Sequence, residues 1–243
     1  MSERYSVLLL EGAGERLADL AERLALLGIV PLRAASPEQA AQLLEGQRRL
    51  PCRAACLAAP LASDGLERWL APLRQASPPL PAVVVGPRPA AELRARLREA
   101  GLRLALWEPY DDGALRFQLN RALHAEEDAN ADPRRQTRVP TPLLARVLLG
   151  DRAREALVYN LSVSGAFLET PRAAVRGARV ELELPLPEDH VKVAAHVIYS
   201  NVPGNLERPN LPYGMGVVFD APSPEASGAI RRYVEQRALG LAI

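Results

Sequence analysis

The stretch Ala125-Glu126-Glu127-Asp128-Ala129-Asn130-Ala131-Asp132-Pro133-Arg134-Arg135-Gln136-Thr137-Arg138-Val139-Pro140 breaks the periodicity that runs up to it. It has no apolar repeat at helical or strand spacing, and its charge turns from acidic to basic at Pro133. Such a composition reads as a linker. It divides the chain into 1–125, a linker over 126–140 carrying a cluster of arginines, and 141–243. The two flanks are patterned differently.

Upstream, short apolar runs alternate with helical spacing. Residues 7–10 end at Glu11-Gly12, and Leu17, Leu20, Leu24 and Leu27 then recur on one helical face until Gly28. Ser36-Pro37-Glu38-Gln39 supplies an N-cap, a proline at the first helical position and a capping-box Gln. Strand candidates over 29–32, 54–57, 81–85 and 102–106 are interleaved with helices over 66–73, 89–100 and 113–124. Five strand–helix units imply a parallel sheet covered on both faces, because parallel strands need crossovers.

Downstream, six strand-like runs (143–149, 156–161, 165–169, 179–184, 191–199 and 214–219) are separated by turn residues. Val180, Leu182 and Leu184 alternate with Glu181 and Glu183, and Ser223-Pro224-Glu225 caps a closing helix. The fold class is therefore an α/β doubly wound parallel five-stranded sheet followed by an antiparallel six-stranded β-barrel with a C-terminal helix.

Composition narrows the function. The 243 residues carry 30 basic and 29 acidic side chains, a net charge of +1, so no whole-molecule field draws in a nucleic acid polymer. Charge is nonetheless uneven: 16 basic against 18 acidic up to Pro133, and 14 against 11 beyond it. Lys192 is the single lysine, a bias that reflects gene composition and makes any one arginine uninformative unless its spacing speaks. No run reaches the roughly 18–20 apolar residues of a membrane span, and no signal peptide is apparent. Cys52 and Cys56 have no His nearby, which argues against a metal site and against a disulfide framework. A cytoplasmic, non-enzymatic protein with no metal and no cofactor is expected.

In order and length, residues 5–124 resemble the receiver domain of bacterial two-component signalling. That family carries an acidic pair after strand one, a phosphoacceptor Asp ending strand three, a Thr or Ser after strand four and a Lys-Pro pair after strand five. Here Glu11 stands alone, matching Pro60 places Cys56 at the Asp, Gly86 lies in the region of the hydroxyl residue, and Glu108-Pro109-Tyr110 reverses the lysine's charge. Phosphoryl transfer needs a carboxylate nucleophile, a hard-oxygen Mg²⁺ site and a cation, so the resemblance is to a receiver without its chemistry. Gly12-Ala13-Gly14 with Arg33 also hints at a dinucleotide fingerprint, with Arg33 on a 2′-phosphate, but Leu17 occupies the third glycine position. Cys56 reads as an inert buried thiol rather than a redox centre.

In the second half one spacing is informative. Arg134-x-x-x-Arg138, then 21 residues, then Asn160-x-Ser162-x-x-Gly165 is similar to the two-part signature of PilZ domains, over about 133–237. Either part alone reads as a solvated linker or an ordinary polar turn. In that family both parts contact the second messenger cyclic di-GMP, so the resemblance implies this ligand, with Arg134, Arg135, Arg138, Asn160, Ser162 and Gly165 as ligand-binding residues and no catalytic ones. The chemistry suits it: an Arg fork meets phosphate or guanine O6/N7, Asn and Ser offer short donors and acceptors, and a glycine permits close approach. Arg146, Arg152, Arg154, Arg172, Arg176 and Arg179 lack such spacing and are assigned to the surface; Tyr199, Tyr213 and Phe219 are assigned to the barrel's core or rim. The implied role is a signalling effector with a protein partner of unknown identity and a possible homodimer. The alternative is an interaction adaptor whose barrel binds no nucleotide.

Overall fold

The computed structural model describes residues 5–46, 50–63, 65–124, 137–150, 152–207 and 211–243. The chain divides into two compact units, one of Met1–Tyr110, Gln118–Asn130 and Leu241–Ile243, the other of Asp111–Phe117 and Ala131–Gly240.

In the first unit, β1 (Ser6–Leu10), β2 (Val30–Ala34), β3 (Cys52–Ala58), β4 (Ala82–Gly86) and β5 (Leu104–Trp107) form a parallel sheet in the order β2-β1-β3-β4-β5. The crossovers are α1 (Ala18–Leu26), α2 (Pro37–Gly46), α3 (Leu66–Gln75) and α4 (Ala91–Glu99), and α5 (Asp112–Leu123) follows β5. β1, β4 and β5 are buried along their whole lengths, as apolar strands covered on two faces must be. The Ser36 cap forms as expected, the Gln39 amide donating to Ser36 Oγ at 3.2 Å, while the Gln39 side chain reaches one residue further back, its Oε1 accepting from the Ala35 amide at 2.8 Å. A 3₁₀ turn over Ala59–Ala62 follows β3 directly.

In the second unit, β7 (Leu144–Leu149), β8 (Arg152–Ser162), β9 (Gly165–Glu169), β10 (Arg179–Pro185), β11 (His190–Val202) and β13 (Gly214–Phe219) pair antiparallel in the ring β10-β7-β8-β9-β13-β11, and β10–β11 pairing closes it. Two short strands lie outside the ring: β6 (Val139–Pro140) pairs with β8, and β12 (Asn205–Leu206) pairs with β11. Closure removes the open edges that a small sheet would otherwise present. Val180, Leu182 and Leu184 point into the core and Glu181 outward, as the alternation requires. On the closing helix α6 (Pro224–Leu241), Ala226, Ala229, Ile230, Tyr233 and Val234 are buried, a 3–4 spacing that makes one apolar stripe. The six arginines assigned to the surface are all exposed, Phe219 is buried, and Tyr213 is exposed.

Candidate functional site

β8 carries the polar half of the signature. Its pairing with β9 slips between Val158 and Asn160, so Tyr159 is an extra residue on β8. A bulge of this kind re-aims the side chains that follow it, and the next residue is Asn160. Asn160 is buried to 5% exposure, and its Oδ1 accepts a hydrogen bond from Arg138 Nη1 at 2.8 Å. The structure thus joins one residue from each half of the signature. A buried side-chain amide anchors an exposed guanidinium at the barrel surface.

The segment that delivers Arg138 is held at several points. Val139 pairs with Leu161 and Pro140 with Asn160. Thr141 Oγ1, itself buried, donates to the Val158 carbonyl at 2.7 Å and accepts from the Leu143 amide at 3.2 Å. Arg237 Nε, on α6, donates to the Pro140 carbonyl at 3.2 Å. Sequence reading missed Thr141 and Arg237, which position Arg138 without belonging to either motif. A two-residue strand has no periodicity to detect, and a lone Thr beside prolines looks like any loop residue.

Ser162 and Gly165 serve the sheet. Ser162 is buried, and its Oγ donates to the Gly165 carbonyl at 3.0 Å, closing the two-residue turn between β8 and β9. A Cβ on Gly165 would lie 2.2 Å from the Val217 carbonyl oxygen of β13. This glycine therefore lets two strands approach closely, a structural role that the sequence reading did not give it. Arg134 and Arg135 lie outside the described residues. Tyr199 stacks on Phe167, with ring centroids 6.0 Å apart, as part of the barrel's aromatic packing.

The first unit's degenerate centre is also explicit. Glu11, buried at the end of β1, receives a bidentate fork from Arg33 on β2, Nε to Oε1 at 2.7 Å and Nη2 to Oε2 at 3.1 Å, and Oε2 also accepts from the Leu17 amide at 3.3 Å. Arg33, weighed as a 2′-phosphate partner, is engaged here instead. The Mg²⁺ that the fold family implies needs several hard oxygens. Both oxygens of Glu11 already face the Arg33 guanidinium, which also lies 3.6 Å from Glu15 Oε1, so the donor set does not fit the ion. Among the described residues no group of three or more His, Cys, Asp or Glu is placed to hold a metal. Cys56, which matching Pro60 set at the phosphoacceptor position, pairs with Leu9 inside the sheet and is buried, and desolvation, with a smaller contribution from Cys52, pushes its thiol up to about 12. Leu61 of the 3₁₀ turn lies against Gly12, where an added Cβ would come within 2.8 Å of its Cδ2. Both cysteines are free thiols.

Residues 132–236 match the family of the PilZ domain. Comparison with curated proteins gives no match. Among solved structures, the chain is similar to the inhibitor of motility MotI/DgrA of Bacillus subtilis, at 18% identity and a TM-score of 0.39 over 45% of this chain and 52% of that one. It spans about half the length of that inhibitor. It is also similar to the PilZ domain of YcgR from Escherichia coli, solved with c-di-GMP, at 20% identity and a TM-score of 0.36 over 44% of this chain and 93% of that one. A third is the signal receiver domain of an HD domain-containing protein from Pseudomonas fluorescens, at 26% identity and a TM-score of 0.42 over 52% of this chain and 99% of that one. No helix among the described residues is long and apolar enough to cross a membrane. The family match, the closed barrel with its capping helix and the β2-β1-β3-β4-β5 sheet agree: residues 132–236 belong to the PilZ domain family, and they follow an N-terminal unit of receiver-like fold.

Proposed function

We propose that the chain is a non-enzymatic signalling receptor that binds cyclic di-GMP on the outer surface of its PilZ barrel. The observation that carries this reading is the Arg138–Asn160 hydrogen bond, which unites two motif halves 22 residues apart on one face. Cyclic di-GMP offers two phosphodiester charges and two guanines with O6 and N7 acceptors. Arg138, with Arg134 and Arg135 of the same motif, supplies planar forks for both kinds of acceptor. Asn160 holds Arg138 before ligand arrives, so less of the incoming segment has to be ordered on binding. Each backbone residue fixed costs about 1–2 kcal/mol, and an affinity in the micromolar range or somewhat tighter follows from a few charge-assisted contacts set against that cost.

The relay is proposed to run through the covalent segment that carries the arginines, because that segment also joins the two domains. Calorimetric titration of the full chain with cyclic di-GMP, GTP and cyclic GMP tests the reading. Saturable binding of cyclic di-GMP, with GTP and cyclic GMP weaker by about tenfold or more, supports it. No heat with any of them gives the barrel to the adaptor reading, in which it serves protein contacts alone.

A further inference from the structure

The end of the barrel where β7 and β9 end and β8, β10 and β13 begin carries a second candidate site. Val147, Ala156, Thr170, Val180 and Met215, all buried, line a hollow there. The segment after β9 is drawn in beside it: the Arg172 amide donates to Thr170 Oγ1 at 3.3 Å and the Ala174 amide to Met215 Sδ at 3.3 Å. The hollow is small, about 30 Å³, with room for one or two waters. A nucleobase does not fit inside it, so whatever binds must lie across its mouth.

Arg152, Arg154 and Arg172 also line this hollow, and all three are exposed. Two of them stand where alternation calls for apolar residues. Val158 and Ala156 are buried on the core-facing row of β8, and the same row runs on to Arg154 and Arg152. The register sets Arg154 opposite Val147 and Arg152 opposite Leu149 on β7, so the inner face of this hairpin is apolar on one strand and cationic on the other. Leu149 is left 41% exposed. Among the described residues none of the three guanidinium groups has an ion-pair partner, whereas Arg146, on the outer face of the same hairpin, pairs with Glu183. Glu155 is the one acid that lines the hollow, and it stands opposite Arg146 on the other face of β8.

We propose that this end of the barrel docks an acidic peptide segment of a partner protein, its carboxylates on Arg152, Arg154 and Arg172 and an apolar side chain against Val147 and Leu149. Charge complementarity selects the occupant: guanidinium forks without partners match carboxylates bidentately. The apolar strand beside them offers a contact that a free inorganic anion would leave unused, and the hollow is too small to enclose a compact ligand. The arginines stand at the first residues of β8, while Asn160 and Ser162 are near its last, so the proposal does not rest on the nucleotide site.

Fluorescence anisotropy of a short labelled peptide, a leucine flanked by aspartates and glutamates, tests the proposal on the full chain. The peptide should bind saturably, and about fivefold or more weakly when its acids are replaced by the amides or its leucine by serine. The double variant Arg152→Gln/Arg154→Gln should bind it about fivefold or more weakly at an unchanged thermal midpoint, because both side chains are exposed and unpaired. Arg146→Gln, on the outer face, should bind as the parent does. No saturable binding, equal binding of the amide or serine peptide, a folded double variant that binds as the parent does, or an equal loss in Arg146→Gln would each overturn it. Capture of the chain by phosphatidylglycerol vesicles with the peptide left free would also overturn it, by giving the surface to a membrane.

Discussion

Arg138 and Asn160 divide the work of the proposed nucleotide site between a charge and its anchor. A charge-assisted hydrogen bond contributes about 1.5–3 kcal/mol and a neutral one about 0.5–1.5. Arg138→Ala should therefore weaken cyclic di-GMP binding by about tenfold or more, while exposed Arg152→Ala should leave it unchanged; calorimetry on the two variants checks both. Ser162→Ala acts differently, because the hydroxyl is buried against the Gly165 carbonyl. It should lower barrel stability by about 0.5–1.5 kcal/mol in urea unfolding and change affinity less than Arg138→Ala does. In the receiver-like domain, Arg33→Ala leaves the buried Glu11 carboxylate without its fork and should destabilise that domain by about 1–3 kcal/mol. Cys56 supplies a pH-dependent test. Its folded thiol titrates near 12, above the ordinary value of 9.0, so the stability it contributes is full below about pH 9 and is lost as pH rises from there toward 12. At pH 8, N-ethylmaleimide should label Cys56 only after unfolding; rapid labelling of the native protein, read by peptide mass, contradicts the buried, protonated thiol.

At the scale of elements, the glycines of β9 and β13 decide how tightly the barrel closes. Gly165 and Gly214 each face a backbone carbonyl, of Val217 and Leu168, at about the distance where a Cβ would collide. Gly165→Ala should cost about 1–3 kcal/mol of barrel stability, the usual penalty for overpacking, and urea unfolding of the variant checks it. The glycine in the second motif half thus has a structural reason that its spacing alone does not reveal. Most elements were legible because their signals are local and repeated: the Ser36 cap, the Val180–Leu184 alternation and the Ser223 cap all form as the residues imply, the last with the Ala226 amide on Ser223 Oγ at 3.2 Å. What escaped reading is non-local. β6 and β12 are two residues each and exist only through their partners. The Arg33–Glu11 fork joins residues 22 apart on neighbouring strands, and pairing in a parallel sheet decides it. Arg138 and Asn160 were legible as parts of a motif, while their mutual bond and the Thr141 and Arg237 supports were not, because no spacing rule encodes a side chain reaching across a barrel surface.

Over the whole molecule, the proposed nucleotide site lies on the barrel, and the receiver-like domain is expected to take no phosphate. The receiver-like domain offers no carboxylate at Cys56, holds Glu11 on Arg33, and packs Leu61 against Gly12. Incubation with acetyl phosphate and Mg²⁺ should therefore give no phosphorylated species by intact mass, and an adduct of one phosphate on this domain would contradict the loss of function. On the proposed function, input enters through the PilZ domain and leaves through the joining segment. If ligand acts there, amide exchange should slow over residues 130–140 and 160–165 when cyclic di-GMP is added. Unchanged exchange at saturation would leave binding in place and remove this relay. The most direct test of the central claim, that Arg138 and Asn160 mark one nucleotide site, is a side-by-side calorimetric titration of the parent chain and Arg138→Ala with cyclic di-GMP. The expected result is saturable binding by the parent and a loss of about tenfold or more in the folded variant, whose buried Asn160 loses its partner at a modest cost in stability; equal affinity in the two proteins, or no binding by the parent, would contradict it.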